Sequence, residues 1–177
     1  AVTVFGFVTT LYTISGTVTD LQGDPLEGVT ISNCAGVTAV TDINGEYTLT
    51  GVDPGTYSIT ATLAGRVFTT IEVTVGPNAT DINLTEATFT ISGTVTDVNN
   101  DPLEGVTVSN GVGIDDVTDT NGEYTLTGVV SGTYTVTATL TGYNFLPASI
   151  EVTVSPNATN INFATQFYPV YLPLLRR

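Results

Sequence analysis

Apolar and hydroxyl side chains alternate along two equivalent stretches of the chain, residues 56–63 and 133–140. A period of two with many β-branched residues is typical of a strand that is buried on one face only. The residues predicted to face inward are Tyr57, Ile59, Ala61, Leu63, Tyr134, Val136, Ala138 and Leu140. No stretch has a convincing helical period, so the pattern predicts an all-β protein.

Turn signals divide each half of the chain into seven short predicted strands. Asn44-Gly45, for example, is the preferred two-residue hairpin turn. The strands are predicted near 12–19, 28–33, 37–42, 46–50, 56–63, 67–75 and 80–85, and again near 89–96, 105–110, 114–119, 123–127, 133–140, 145–154 and 159–164. Seven short strands in about 75 residues predict an antiparallel β-sandwich. Tyr57 and Tyr134, each after Gly-Thr, fit a tyrosine corner.

The two halves are copies of one unit. Residues 12–65 and 89–142 align without gaps at an offset of 77 and are identical at 38 of 54 positions; a two-residue insertion near 144–147 then makes the offset 79. Such a repeat is longer than the roughly 20–50 residues of solenoid units. We therefore predict two tandem seven-stranded antiparallel β-sandwich domains, residues 12–86 and 87–165, with short terminal tails, residues 1–11 and 166–177.

An ordered series of motifs resembles a known family. ISGTVTD, DPLEGVTVSN, TDTNGEYTLTGV, SGTYTVTATLTGY and IEVTVSPNAT occur in this order in the second copy, with counterparts in the first. They resemble the carboxypeptidase regulatory-like domain, a transthyretin-like (prealbumin-like) β-sandwich. The resemblance implies an accessory, stalk or surface domain of secreted proteins, and it implies no catalytic residues.

Charge and missing residue types exclude several function classes. The net charge is −14 and the basic residues are Arg66, Arg176 and Arg177, so we expect no nucleic-acid partner. The sequence has no His and no Lys, which excludes Ser-His-Asp catalysis, His-ligated metals and Schiff-base chemistry. No stretch has the roughly 20 apolar residues of a membrane span. We expect no enzyme, no catalytic residue and no cofactor.

The loop carboxylates have two interpretations. Asp and Asn commonly stabilise turns by binding nearby backbone N–H groups. The alternative is a weak calcium site, for which Asp115, Asp116 and Asp119 are the best candidates, although hard cations require six to eight oxygen ligands. We expect the turn role.

Two further kinds of surface residue are candidates for modification. Asn78, Asn83 and Asn157 each begin an Asn-x-Thr triplet and are therefore acceptors for N-glycosylation in an organism that carries it out. Cys34 is the sole cysteine, so no internal disulfide forms. We expect it to be a small half-buried residue, with a disulfide between chains as the alternative.

Both tails are strongly apolar and lie outside the family resemblance. The first has apolar residues on both faces of a predicted strand: Val2, Val4, Phe5, Phe7 and Val8. The second carries Phe167, Tyr168, Val170, Tyr171, Leu172 and Leu174, interrupted by two prolines that prevent a central strand. Either the tails fold back on their own domains, or they dock onto a neighbouring subunit.

These patterns favour a structural role. We expect a subunit of an extracellular filament or surface array that self-assembles head-to-tail, with the first tail added as a strand to the sheet edge of the next copy. The alternative is an adhesin stalk or carbohydrate-binding accessory module that binds a glycan or surface ligand. Because the chain starts at Ala1 and has no Met, we expect that a signal peptide was removed; the alternative is a trimmed sequence.

Overall fold

The computed structural model describes residues 10–166, so the tail residues named above, from Val2 to Val8 and from Phe167 to Leu174, lie outside the described part. The chain divides into two compact units, Ala1–Ala87 and Thr88–Arg177. We call them the first and second module and describe each by itself.

The first module is a sandwich of two sheets. Its strands are β1 (Tyr12–Thr19), β2 (Thr30–Ser32), β3 (Thr38–Val40), β4 (Glu46–Val52), β5 (Gly55–Thr62), β6 (Ile71–Val75) and β7 (Leu84–Thr85). One sheet has the order β4-β1-β7 and the other β3-β2-β5-β6. The alternating residues of the two inner faces meet between the sheets, as in other small sandwiches.

The second module repeats this arrangement with one additional strand. Its strands are β8 (Phe89–Thr96), β9 (Thr107–Ser109), β10 (Asp115–Val117), β11 (Glu123–Val129), β12 (Gly132–Thr139), β13 (Phe145–Leu146), β14 (Ser149–Val154) and β15 (Phe163–Thr165). The sheets have the orders β11-β8-β15-β13 and β10-β9-β12-β14. The predicted strand 145–154 is therefore two strands, because β13 pairs with β15 in one sheet and β14 pairs with β12 in the other.

Each core is aliphatic with a few aromatic residues. The burial of the alternating residues confirms which face of each predicted strand is turned inward. Ile59, Val136 and Ala138 are buried, and the other predicted inward residues pack against the cores while partly exposed. The hydroxyl positions between them are exposed or half-buried. A slip of one residue would have exchanged these faces.

The last strand of each module departs from the antiparallel prediction. β7 pairs with β1 in parallel through Val18 and Leu84, and β15 pairs with β8 in the same way. Residues 78–86 run beside the whole outer edge of β1. The N–H of Ser15 donates to Ala79 O at 3.0 Å, and Ser15 O accepts from the N–H of Ile82 at 3.0 Å. β1 is therefore an interior strand, although only residues 84–85 of the predicted strand 80–85 form regular ladder pairs.

We call residues 78–86, which run beside β1, the crossing segment. Where its backbone carbonyls do not reach the N–H groups of β1, asparagine side chains accept them instead. Asn78 Oδ1 accepts the N–H of Thr13 at 2.9 Å, and Asn83 Oδ1 accepts the N–H of Thr17 at 2.9 Å. The second module repeats both bonds, from Thr90 to Asn157 and from Thr94 to Asn162. Because almost every backbone N–H within a sheet finds an acceptor, these side chains take the place of two ladder partners in each module.

Gly16 and Gly93 make the crossing sterically possible. A Cβ atom on Gly16 would lie 2.0 Å from Ile82 O, and one on Gly93 would lie 2.0 Å from Ile161 O. The contacted atoms belong to the backbone, so no side-chain rotation relieves the clash. This explains a glycine in the middle of a strand, a position where the residue otherwise weakens the sheet.

Four tyrosine hydroxyls bind backbone carbonyls. Tyr57 donates to Asp53 O at 2.9 Å and Tyr134 to Val130 O at 3.0 Å, which confirms the two tyrosine corners. Tyr47 donates to Ile82 O at 2.7 Å and Tyr124 to Ile161 O at 2.6 Å. The hydroxyls of Tyr47 and Tyr124 thus bind the same two carbonyls that lie against Gly16 and Gly93. These bonds stabilise the position of the crossing segment in each module.

We expect Gly16→Ala to lower the free energy of unfolding of the first module by about 3 kcal/mol or more, because the added methyl group meets backbone at 2.0 Å. Urea unfolding followed by the NMR signals of each module measures the loss. Gly51→Ala is the matched control. Gly51 also lies in a strand, but its Cβ would meet nothing within 4 Å, so only its positive φ of 75° is strained, at a cost of about 1–2 kcal/mol. Equal losses for the two variants would contradict the close approach.

A second prediction concerns alkaline stability. Burial raises the pKa of Tyr47 from 10.0 to about 12 and also raises the pKa of Tyr124. The unfolded chain loses these protons near pH 10. The stabilisation is therefore present below about pH 10 and is lost as the pH rises through the folded-state pKa. We expect the urea midpoint to fall in this range, and to fall less when Tyr47 and Tyr124 are both changed to Phe. Equal slopes in both proteins would exclude these two hydroxyls as the cause.

Candidate interaction surfaces

The loop carboxylates bind their own backbone. Within residues 10–166, six loops share one arrangement, in which a side-chain oxygen accepts the N–H groups two and four residues later, at 2.7–3.1 Å. The six acceptors are Asp20, Asn33, Asp42, Asp97, Asn110 and Asp119. These bonds are the turn role expected from the sequence.

The three calcium candidates do not converge. Asp119 is one of these turn acceptors, Asp115 is exposed at the start of β10, and Asp116 binds two backbone N–H groups. No group of three or more acidic, Cys or His side chains that could hold a metal ion occurs in the described part of the chain. A calcium ion would have to compete with N–H groups for the oxygens of Asp116 and Asp119.

The Asp116 carboxylate binds a backbone N–H at the outer edge of β11. Its Oδ2 accepts the N–H of Thr125 in β11 at 2.7 Å, while its Oδ1 accepts the N–H of Val117 at 2.8 Å. β11 is the outer strand of its sheet, so the carboxylate covers a donor that faces away from β8. The equivalent residue of the first module, at the offset of 77, is Ala39, which has no polar side-chain atom. The two modules therefore differ at the same edge.

Asn78, Asn83 and Asn157 are exposed, as N-glycosylation would require, yet their Oδ1 atoms already bind β1 or β8. Asn162 has the same role as Asn83 but is followed by Phe163 and Ala164, so it does not fit the glycosylation pattern. The repeated spacing of five residues, from 78 to 83 and from 157 to 162, is the sequence signal that would have revealed this structural role.

Cys34 is exposed, contrary to the half-buried position expected from the sequence. It lies in the turn between β2 and β3 with a φ of 56°, and its Sγ lies 3.7 Å from Thr60 Oγ1. Because the turn lies beyond the end of β2, neither sheet face covers the Cys34 side chain. The counterpart, Gly111, has a φ of 77°.

Both modules match the same protein family. The model described as carboxypeptidase regulatory-like domain matches residues 13–86 and 90–166. This domain type is non-catalytic.

Similar proteins are longer or only distantly related. Chitinase ChiA of Flavobacterium johnsoniae is 37% identical over 76% of this chain, which corresponds to 9% of that protein. The Bacillus anthracis TIE protein is 19% identical over 88% of this chain and 34% of its own, with a TM-score of 0.51. The minor pilin GBS52 of Streptococcus agalactiae is 18% identical over 89% of this chain and 98% of its own, with a TM-score of 0.39. The TIE protein supports the sandwich fold, and the chain spans only a small part of the chitinase.

Helices of the length and apolar character that a membrane crossing requires are absent from the described residues.

We expect two of the turn carboxylates, Asp97 and Asp119, to titrate at unusually low pH. The N–H of Asp101, followed by that of Asn99, lowers the pKa of Asp97, and the N–H of Glu123 is the main cause of the lowered pKa of Asp119. Because the folded-state pKa lies below the ordinary value of about 3.9, these bonds stabilise the fold above that pH and are lost as the pH falls through the lowered pKa. NMR titration of the side-chain carboxyl carbons measures both pKa values. Ordinary values at Asp97 and Asp119 would show that the loop bonds do not persist in solution.

Proposed function

This chain belongs to the carboxypeptidase regulatory-like domain family, and we propose that it serves as a structural subunit of an extracellular filament or surface array. The observation that carries the proposal is the outer edge of the first module. β4 is seven residues long, lies at the end of its sheet, and has Glu46 as its single charged residue. An edge of this length can template pairing with another chain.

The proposed mechanism is strand addition. Residues 1–10 of one subunit pair along the β4 edge of the next, and the head-to-tail contact propagates because it does not close on itself. The segment has no proline and no charged side chain, and its apolar residues alternate onto both faces. Those residues are Val2, Val4, Phe5, Phe7 and Val8; covering both faces suits a strand that is buried on two sides.

The difference between the modules supports the first as acceptor. In the second module, the Asp116 carboxylate occupies the N–H of Thr125 and places a negative charge beside β11. The corresponding N–H in the first module belongs to Thr48, and Ala39 brings no carboxylate to it. Charged side chains directed at an edge are a common obstacle to unwanted strand pairing.

The C-terminal segment has a secondary role in this proposal. Phe167, Tyr168, Val170, Tyr171, Leu172 and Leu174 cover the contact between subunits, since the two prolines of the segment oppose continuous pairing. The proposed partner is a second copy of the chain. The proposed location is outside the cell or on its surface.

A second candidate function is an accessory or stalk module within a longer secreted protein that binds carbohydrate. It is favoured by the match to Chitinase ChiA, in which the similar stretch makes up 9% of the protein. A non-catalytic domain pair beside a polysaccharide-degrading enzyme would hold the protein on a surface or substrate. The two candidates are compatible in one protein.

Deleting residues 1–10 should leave both modules folded and abolish assembly. Light scattering after size-exclusion chromatography and negative-stain microscopy report the polymers, and NMR reports the folded modules. We expect the full chain to form filaments and the shortened chain to stay monomeric. Filaments of the shortened chain, or a full chain that remains monomeric, would contradict strand addition.

Ala39→Asp tests the acceptor edge in the full chain. The new carboxylate should cap the N–H of Thr48 as Asp116 caps that of Thr125, and it should reduce the extent of assembly at least tenfold. Val40→Asp is the matched control, because it adds the same charge one residue away at a side chain that is 61% exposed. Equal effects of the two substitutions would indicate general charge repulsion instead of a blocked edge.

A further inference from the structure

The two modules differ at one corner. In the first module, Arg66 Nη1 donates to Glu86 Oε2 at 2.8 Å, and the Glu86 side chain is 6% exposed. In the second module, Tyr143 and Thr165 occupy these positions, so the ion pair is absent. The two-residue insertion near residues 144–147 lies beside the same corner, around β13.

A groove lies at this corner of the second module. It has a volume of about 750 Å³, within the range of roughly 300–1,000 Å³ that is typical of small-molecule sites. Its walls include Thr107 of β9, Thr139 of β12, the turn that carries Thr141 and Tyr143, and Gln166. A smaller cavity of about 280 Å³ adjoins it and shares Tyr143, Asn144 and Gln166. Tyr143 thus borders both depressions.

The lining of the larger groove is uncharged. Hydroxyl groups come from the threonines and from Tyr143, amide groups come from Asn144 and Gln166, and Phe145 and Leu140 add apolar surface. Tyr143 is 48% exposed, so its ring is available to a ligand. An anionic ligand would meet a chain of net charge −14 and no basic residue in this lining, and a cationic ligand would find no carboxylate there.

Neutral polyhydroxylated ligands match this combination. The apolar face of a sugar ring packs on an exposed aromatic ring, and its hydroxyl groups exchange hydrogen bonds with threonine and amide side chains. A mainly apolar ligand would leave those polar groups without partners, which costs affinity. Shallow open grooves also suit a chain of sugar units better than a compact ligand that has to be enclosed.

We propose that the groove of the second module binds a neutral oligosaccharide. Tyr143 provides the stacking surface, and Thr107, Thr141 and Gln166 provide hydrogen-bonding groups along the groove. The proposal gives the second candidate function a specific site, and it does not depend on strand addition. The corresponding corner of the first module, with Arg66 paired to Glu86, is not part of the site.

NMR titration of the full chain with cellotetraose, maltotetraose and tetra-N-acetylchitotetraose tests the site, with tetragalacturonate as the charged comparison. We expect at least one neutral tetrasaccharide to give saturable shifts at the amides of Thr107, residues 140–144 and Gln166, with a Kd on the order of 1 mM. The amides of Thr30, residues 63–67 and Ala87 are the internal control in the first module. Equal shifts in both modules, preferential binding of tetragalacturonate, or no shift with any neutral sugar up to about 10 mM would overturn the proposal.

Two variants separate recognition from folding. Tyr143→Ala should weaken binding at least tenfold and leave the amide spectrum of the other strands unchanged, whereas Tyr143→Phe keeps the ring and should retain most of the affinity. Unchanged binding by the Ala variant would exclude Tyr143 as the stacking residue and overturn the proposal. The titration is carried out on the chain that lacks residues 1–10 as well, so a failure of assembly cannot be mistaken for a failure of sugar binding.

Discussion

Each module depends on the close approach of its last segment to its first strand. In the first module, residues 78–86 lie along β1, and the equivalent segment of the second module lies along β8. The crossing backbone occupies the space of a Cβ atom at Gly16, and the side chains of Asn78 and Asn83 satisfy the strand donors that it leaves. As a result β1 has partners on both edges, and its apolar residues Ile14 and Val18 lie fully buried between the sheets. Because β1 is paired on both sides, the outer strand with an unpaired edge is β4, where the proposed assembly takes place.

Local pattern was sufficient to predict most strands and their faces, because burial on one side leaves a period of two in the sequence. It could not predict that β7 runs parallel to β1. A parallel partner is distant along the chain, and here much of the pairing is made by asparagine side chains and isolated bridges instead of alternating strand residues. The strand over 145–154 was also predicted as continuous. Its two halves join different sheets, and the alternation in one sequence does not show which sheet a segment joins.

The duplication works as an internal comparison within one chain. Substitutions between the copies leave the turn acceptors such as Asp42 and Asp119 in place, and these residues bind the same backbone positions in both modules. The sequence therefore favoured the turn role over calcium binding, but only the fold shows which N–H groups each oxygen accepts. Tyr143 could not be identified in advance either. Its significance comes from Thr107 and Gln166, which only the fold brings next to it.

The ion pair between Arg66 and Glu86 in the first module also affects the susceptibility of the chain to proteases. The sequence has no lysine, and outside its last two residues its basic residues are limited to Arg66. Within residues 10–166, a trypsin-like enzyme thus has a single target, the Arg66–Val67 bond. The guanidinium that such an enzyme must draw into its specificity pocket is held at 2.8 Å by a buried glutamate. Cleavage there requires that the corner open first, so digestion of the folded chain by this class of protease would be governed by the opening of one module rather than by the number of exposed loops.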